Sequence, residues 1–210
     1  MAPVVPSSEV EGKAYVERYT QALAHEFTHG VILYSSGLEY ERESGALNES
    51  FSDMMGTAVE FFYQPPGAGP LKADYLIAED VVTPGGIRSM ENPAAYGQPD
   101  HYSRRAILAN DRDHDNGGVH VNSGIPNHVY YLAIEGGTNR TSGLSVQGVG
   151  QANREQIEKV MYRAFTQLMP SNASFAVARA VTIQAATDLY GAGSAATRAV
   201  TQAWTAVGGE

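Results

Sequence analysis

The 210-residue sequence contains no cysteine. This absence excludes disulfide bonds and thiolate metal ligands, so any metal ion must be held by imidazole and carboxylate groups. Positive charge is also scarce, with 14 Lys and Arg residues against 23 Asp and Glu residues. The resulting net charge of −9 repels phosphate backbones, so we expect no nucleic-acid partner.

Long apolar segments are absent as well. No run approaches the roughly 20 residues that a membrane-spanning helix needs, so we expect no membrane partner. The first ten residues, MAPVVPSSEV, lack the basic and apolar regions of a signal peptide. Residues 1–8 are rich in Pro and Ser and are expected to form a flexible leader. Residues 9–210 contain enough apolar material for a single domain.

Helical periodicity predicts a mainly α fold. One helix is expected over residues 9–34, where an apolar row recurs at helical spacing: Val16, Tyr19, Leu23, Phe27 and Val31. Further helices are expected over 44–63, 123–135, 151–169, 174–190 and 194–207. Residues 64–121 are rich in Gly, Pro, Asp and Asn and predict a long structured loop region with a functional or ligand-stabilised role. We identify no strand alternation.

The most specific motif is HEFTH at residues 25–29. Two histidines at i and i+4 share one helix face, so His25 and His29 can both reach a zinc ion at about 2.0–2.1 Å. Glu26 lies about 100° round the helix and can stand beside the metal as the base for an activated water. The alternative is a pair of exposed helix histidines beside a surface glutamate.

A second segment, GALNESFSD at residues 45–53, follows the histidines. Together, HEFTH and this segment resemble the thermolysin-like neutral metallopeptidases. The resemblance implies a helical catalytic domain in which Glu49 is the third zinc ligand. It also implies that Asp53 accepts the N–H of His25, which fixes the tautomer of that ligand.

Other segments extend the resemblance in the order of the family: Tyr40, IRSM at 87–90 and the block NGGVHVNSG at 116–124. The resemblance implies that Tyr40 and His120 donate hydrogen bonds to a tetrahedral oxyanion and that Asp115 holds the His120 ring. Arg88 would bind a substrate carbonyl. Apolar side chains would line the adjoining pocket, although plain core packing is an equal alternative for them: Ile77, Val81 and Ile87.

The implied function is that of a secreted zinc endopeptidase acting on peptides or proteins, with a preference for a bulky apolar residue on the primed side of the scissile bond. The alternative is a zinc-binding helical scaffold with little turnover. Family members carry a β-rich domain before the zinc helix, and only 23 residues precede Ala24 here. We therefore expect one wall of the cleft to be missing and exposed apolar surface to favour self-association.

Calcium is a further implication of the resemblance. Glu60, Asp74 and Glu79 match calcium carboxylates of the family, and a carbonyl such as that of Leu76 could complete an oxygen site. Gln21 stands where the family has an acid, which removes one charge. We expect at most one calcium ion, and the alternative is that these acids are unoccupied surface groups.

Overall fold

The computed structural model describes residues 9–82 and 85–209, with side chains from residue 17 onward. It confirms the mainly α fold. The flexible leader expected over residues 1–8 lies outside the described residues.

Seven α-helices account for most of the described residues. They are α1 (Glu9–Leu33), α2 (Arg42–Tyr63), α3 (Asp115–Asn122), α4 (Gly124–Glu135), α5 (Arg154–Arg163), α6 (Phe175–Tyr190) and α7 (Ala195–Ala206). A π-helical turn over Ala164–Leu168 extends α5. Six of these helices match the predicted segments within a few residues. The segment predicted over 151–169 is divided between a 3₁₀ turn, α5 and the π-helical turn.

Helix α3 lies inside the segment that the sequence predicts as loop. Its first residues are not helical, because Asn116, Gly117 and Gly118 all have positive φ. The regular part that follows is about one turn long, which is too short to carry a recognisable apolar period. Short 3₁₀ turns punctuate the rest of residues 64–121 at Pro93–Tyr96, Tyr102–Arg104 and Arg112–His114.

Two antiparallel hairpins also went unpredicted. Strand β1 (Leu76–Ile77) pairs with β2 (Arg88–Ser89), which sets Ile77 opposite Arg88. Strand β3 (Gly137–Thr138) pairs with β4 (Ser145–Val146). Each strand has 2 residues, so none is long enough to show the alternation by which strands are recognised in a sequence.

Helix α2 is the centre of the fold and is buried over most of its length. It packs against α1 at Gly56, where a Cβ atom would stand only 2.9 Å from the Gln21 carbonyl oxygen. On another face, Phe51 stacks on Phe165 with ring centroids 4.6 Å apart. The buried Trp204 of α7 donates from Nε1 to Thr182 of α6. The first two contacts place α2 between α1 and the π-helical turn, and the third joins α6 to α7.

Two members of the apolar row of α1 face away from this core. Leu23 is 61% exposed and Phe27 is 75% exposed. The buried side of the helix carries Gln21, Thr28 and Ile32 instead. The periodicity therefore located the helix, but Leu23 and Phe27 of its apolar row do not belong to the buried side. Among the described residues, no helix is long and apolar enough to span a membrane.

Candidate metal centre

Two helices bring three candidate ligands together. His25 and His29 lie one turn apart on α1, and their Nε2 atoms are 3.1 Å apart. Glu49 on α2 faces both, with Oε2 at 3.7 Å from His25 Nε2 and Oε1 at 3.5 Å from His29 Nε2. One ligand atom of each residue lies within 4.8 Å of the other two. The structure thus brings together the residues that the sequence predicts as zinc ligands.

Asn48 fixes the orientation of the His29 ring. Its Oδ1 lies 2.7 Å from His29 Nδ1, while its Nδ2 donates to the Leu38 carbonyl oxygen. Because the amide oxygen can only accept, His29 Nδ1 carries the proton and Nε2 presents a lone pair. Sequence reasoning gave Asn48 no role, although it directly precedes Glu49 in the matched segment.

A buried carboxylate orients the His25 ring. Asp53 is 1% exposed, and its Oδ1 lies 2.9 Å from His25 Nδ1. Arg88 donates to both Asp53 oxygens, from Nε at 2.8 Å and from an Nη at 2.6 Å. Burial raises the pKa of Asp53, but the charge of Arg88 and the hydrogen bonds from His25 and Arg88 outweigh burial and hold that pKa well below its usual range.

The converging groups have the chemistry of a cation site. His25 Nδ1 likewise lies beside a carboxylate oxygen, at 2.9 Å, which favours the tautomer whose lone pair is on Nε2. The two Nε2 atoms then face each other as acceptors at 3.1 Å. Two acceptors at that distance repel unless a proton or a cation lies between them. The buried Glu49 Oε2 has no protein hydrogen-bond partner. Two imidazole nitrogens and one carboxylate form the donor set of catalytic zinc sites and leave a fourth position open.

Tyr40 and His120 border the same centre. The Tyr40 hydroxyl donates to Glu49 Oε1 and lies 3.2 Å from His120 Nε2. Burial raises the pKa of Tyr40, and the hydrogen bond to Glu49 and its charge add to the increase, so the hydroxyl remains a donor. Asp115 receives the His120 backbone N–H at 2.9 Å and lies 2.5 Å from Nδ1 of the ring.

An open cavity of about 830 Å³ adjoins these groups. Glu26 lines it from α1, and hairpin β1–β2 contributes Ile77, Ile87 and Arg88. Ile77 is buried and Ile87 is 46% exposed. Val81, predicted with them as a pocket residue, is not among the described residues that line the cavity. Val81 lies in the turn that follows β1 and not in the paired strands.

A second acidic cluster differs from the predicted calcium set. Carboxylate oxygens of Glu60, Glu79 and Asp80 lie within 4.8 Å of one another. Asp74 is outside this group, and its Oδ1 accepts the backbone N–H of Leu76. Gln21 donates from Nε2 both to Glu60 and to the Leu76 carbonyl oxygen. Burial and the charge of Glu79 raise the pKa of Glu60.

Comparison with known proteins identifies the domain. Residues 36–208 match the family described as "Thermolysin metallopeptidase, alpha-helical domain". Bacillolysin of Bacillus cereus is 46% identical over 190 residues, which cover 89% of this chain and 31% of that protein. The thermostable neutral protease NprT of Geobacillus stearothermophilus is 44% identical over 190 residues, covering 89% of this chain and 32% of that protein.

A solved structure, the precursor of protealysin, a metalloproteinase from Serratia proteamaculans, superposes with a TM-score of 0.65 at 31% identity. The match covers 90% of this chain and 57% of that one. The chain spans about a third of the length of the curated relatives it matches. It belongs to the thermolysin metallopeptidase family, of which it contains the alpha-helical domain.

Proposed function

We propose that this chain provides the metal centre and catalytic groups of a zinc-dependent endopeptidase. The observation that carries the proposal is the convergence of His25 Nε2, His29 Nε2 and a Glu49 oxygen within 4.8 Å of one another. The unpartnered Glu49 Oε2 and the facing imidazole lone pairs fit a divalent cation. Family membership supports peptide hydrolysis, since relatives such as bacillolysin and thermolysin are peptidases.

Glu26 is the proposed general base. Zinc bound at the three ligands would supply Lewis-acid chemistry, which acidifies a water molecule and polarises a carbonyl. Glu26 is exposed to the cavity one residue after His25. Its carboxylate would take a proton from the attacking water and pass it to the leaving amine. No nucleophilic Ser or Cys is required by this route.

Tyr40 and His120 are the proposed oxyanion donors. Their polar atoms stand 3.2 Å apart beside Glu49, so both can reach one substrate oxygen. Asp115 holds Nδ1 of the His120 ring at 2.5 Å, which leaves Nε2 facing the cavity. Donors held in place before the reaction stabilise developing negative charge without reorganisation.

Substrate recognition is proposed for the hairpin side of the cavity. Arg88 lines the cavity while bound to Asp53, which would place a fixed guanidinium beside a substrate carbonyl. Ile77 and Ile87 give this side an apolar surface suited to a bulky apolar residue on the primed side. Acting on peptides or proteins outside the cell is part of this proposal.

Low turnover is the alternative, in which the chain is a zinc-binding scaffold. The exposure of the donors favours it, because the His120 side chain is 50% exposed and Tyr40 is 42% exposed. Hydrogen bonds in water-exposed sites stabilise charge less than those in dry sites. Hydrolysis of a fluorogenic peptide that a zinc chelator blocks separates the two functions.

Replacing Glu26 by Gln tests the proposed base. The change keeps the size of the side chain but removes its proton affinity, so peptide hydrolysis should fall by about 10²–10⁴-fold. Zinc content measured by elemental analysis should stay at the wild-type value. Glu155→Gln, at an exposed position of α5, is the matched control and should leave both quantities unchanged. Substantial residual turnover in Glu26→Gln would contradict the role of the base.

Replacing His120 by Ala tests the proposed oxyanion donor. We expect kcat to fall by about 10²–10³-fold, because one preorganised donor is lost. The exposed His114, which pairs with Asp111, provides the control variant His114→Ala with unchanged kcat. Loss of zinc from His120→Ala would show instead that His120 is a metal ligand.

We propose one calcium site at Glu60, Glu79 and Asp80. Both Glu79 carboxylate oxygens are buried beside the Glu60 and Asp80 carboxylates, and three crowded acids favour a divalent cation. The Gln21 amide already occupies one Glu60 oxygen, which limits the cluster to a single ion. Asp74, the acid expected from the sequence, lies near enough to raise the pKa of Glu60 but is not a proposed ligand.

Calcium at 100 times its Kd should raise the Tm of the zinc-loaded protein by about 5–10 °C, since binding stabilises the folded state. Glu79→Gln should abolish this shift in differential scanning calorimetry, whereas Asp74→Asn should retain it. An identical Tm with and without calcium in the wild type would exclude the site.

We also propose that the outer face of α1 pairs with a second copy of the chain. Leu23, Phe27 and Tyr34 are 61%, 75% and 90% exposed, and side chains of this size bury on the order of 400–600 Å² together. This is below the roughly 800 Å² per partner of stable complexes, so the dimer should be weak. The net charge of −9 opposes pairing at low salt.

Sedimentation velocity should detect a monomer–dimer equilibrium that salt strengthens by screening the repulsion. Phe27→Glu should give a monomer, and Ile107→Glu, at a position that is 84% exposed outside α1, should behave as the wild type. A wild-type protein that stays monomeric at high concentration and high salt would rule out this interface.

A further inference from the structure

The carboxylate that orients His25 receives a fourth donor from another helix. Asn127 on α4 is 0% exposed, and its Nδ2 donates to Asp53 Oδ2 at 2.8 Å. Its Oδ1 accepts the Ser50 hydroxyl at 2.7 Å. Since a carboxylate can only accept, the orientation of the Asn127 amide is set by its partner.

The two bonds of Asn127 reach successive turns of α2. Ser50 and Asp53 are three residues apart and therefore lie on one helix face. The amide of Asn127 bridges them, so α4 is fixed to α2 directly behind the candidate ligand Glu49. Asn127 and Ser50 do not line the cavity, and both are fully buried.

We propose that Asn127 is a positioning residue for the metal centre, acting through Asp53 on His25, with Ser50 as the anchor of its amide. This inference rests on the proposed zinc site. Asp53 Oδ1 lies near both His25 Nδ1 and Arg88, while Oδ2 accepts from Arg88 Nε and Asn127. Arg88 already binds both oxygens, and Asn127 is the contact that holds Oδ2 from the side of α4.

Without Asn127, the carboxylate is held only by Arg88 and His25, and Oδ2 loses its donor from α4. A bidentate guanidinium–carboxylate pair tends to move as one unit. A shift of that pair toward the vacated side moves Oδ1 away from His25 Nδ1 and releases the ring orientation that presents Nε2 to the metal. Groups that orient metal-binding histidines typically change metal affinity by about 10–100-fold when they are removed.

Zinc affinity measured by chelator competition tests the inference. Asn127→Leu retains the approximate volume but removes both polar atoms, and it should weaken zinc binding by about tenfold. The matched control is Asn139→Leu, because Asn139 is also 0% exposed and hydrogen-bonded through both amide atoms, away from the metal centre. That variant should lose stability but keep the wild-type zinc Kd.

A double-mutant cycle with Asp53→Ala separates positioning from general structural support. If Asn127 acts through Asp53, adding Asn127→Leu to Asp53→Ala should change the zinc Kd by less than about twofold. A full tenfold effect in both backgrounds would overturn the inference. Equal zinc affinities of the Asn127→Leu and Asn139→Leu variants would also overturn the inference.

Ser50→Ala provides a second variant if Asn127→Leu does not fold. It frees the amide to rotate and should weaken zinc binding by about threefold, as a more distant member of the same network. A wild-type Kd in Ser50→Ala would then reject the inference. Failure of the wild-type chain to bind zinc would reject the proposed function itself, which is a distinguishable outcome.

Discussion

The buried negative charge of Asp53 is the constraint on which the site depends. A carboxylate that is 1% exposed is stable only when every strong donor around it is in place. Its partners come from three separate segments: His25 on α1, Arg88 on β2 and Asn127 on α4. The charge therefore ties the candidate metal ligands, the hairpin beside the cavity and the helix behind α2 into one unit.

The same requirement explains why α1 buries its polar side. The face of α2 that meets α1 carries Glu49 and Asp53, and the residues of α1 that face them include His25 and His29. Close approach at Gly56 makes this contact possible. The larger apolar side chains of α1, such as Phe27, are left facing outward. The polar interface between α1 and α2 and the apolar outer face of α1 both follow from the placement of the candidate metal ligands between these two helices.

The metal centre and the groups around it differ in how firmly they are held. His25 and Glu49 lie largely buried on packed helices, whereas the Tyr40 and His120 side chains are more exposed at an open cavity. Asp115 compensates in part, because it binds both the backbone and the ring of His120. Residues 115–118 all have positive φ, and this left-handed stretch turns the chain so that both bonds can form. Metal binding thus depends on the core, while donor alignment depends on a short loop.

The sequence by itself determined the helices and the identity of the candidate ligands. A helix fixes the relative directions of residues four apart, so the spacing of His25 and His29, or of Glu49 and Asp53, carries geometric information without any tertiary contact. The two motifs also indicated Tyr40, Arg88 and His120 through the family resemblance. Their placement beside one cavity required the folded chain.

Only the tertiary structure decided which groups complete each site. Asn127 reaches Asp53 across 74 positions of sequence, and Asp80 rather than Asp74 joins Glu60 and Glu79. It also decided that Leu23 and Phe27 face outward. The physical reason is that periodicity fixes directions within one helix, whereas the contacts of a buried charge or an apolar face depend on how separate segments pack.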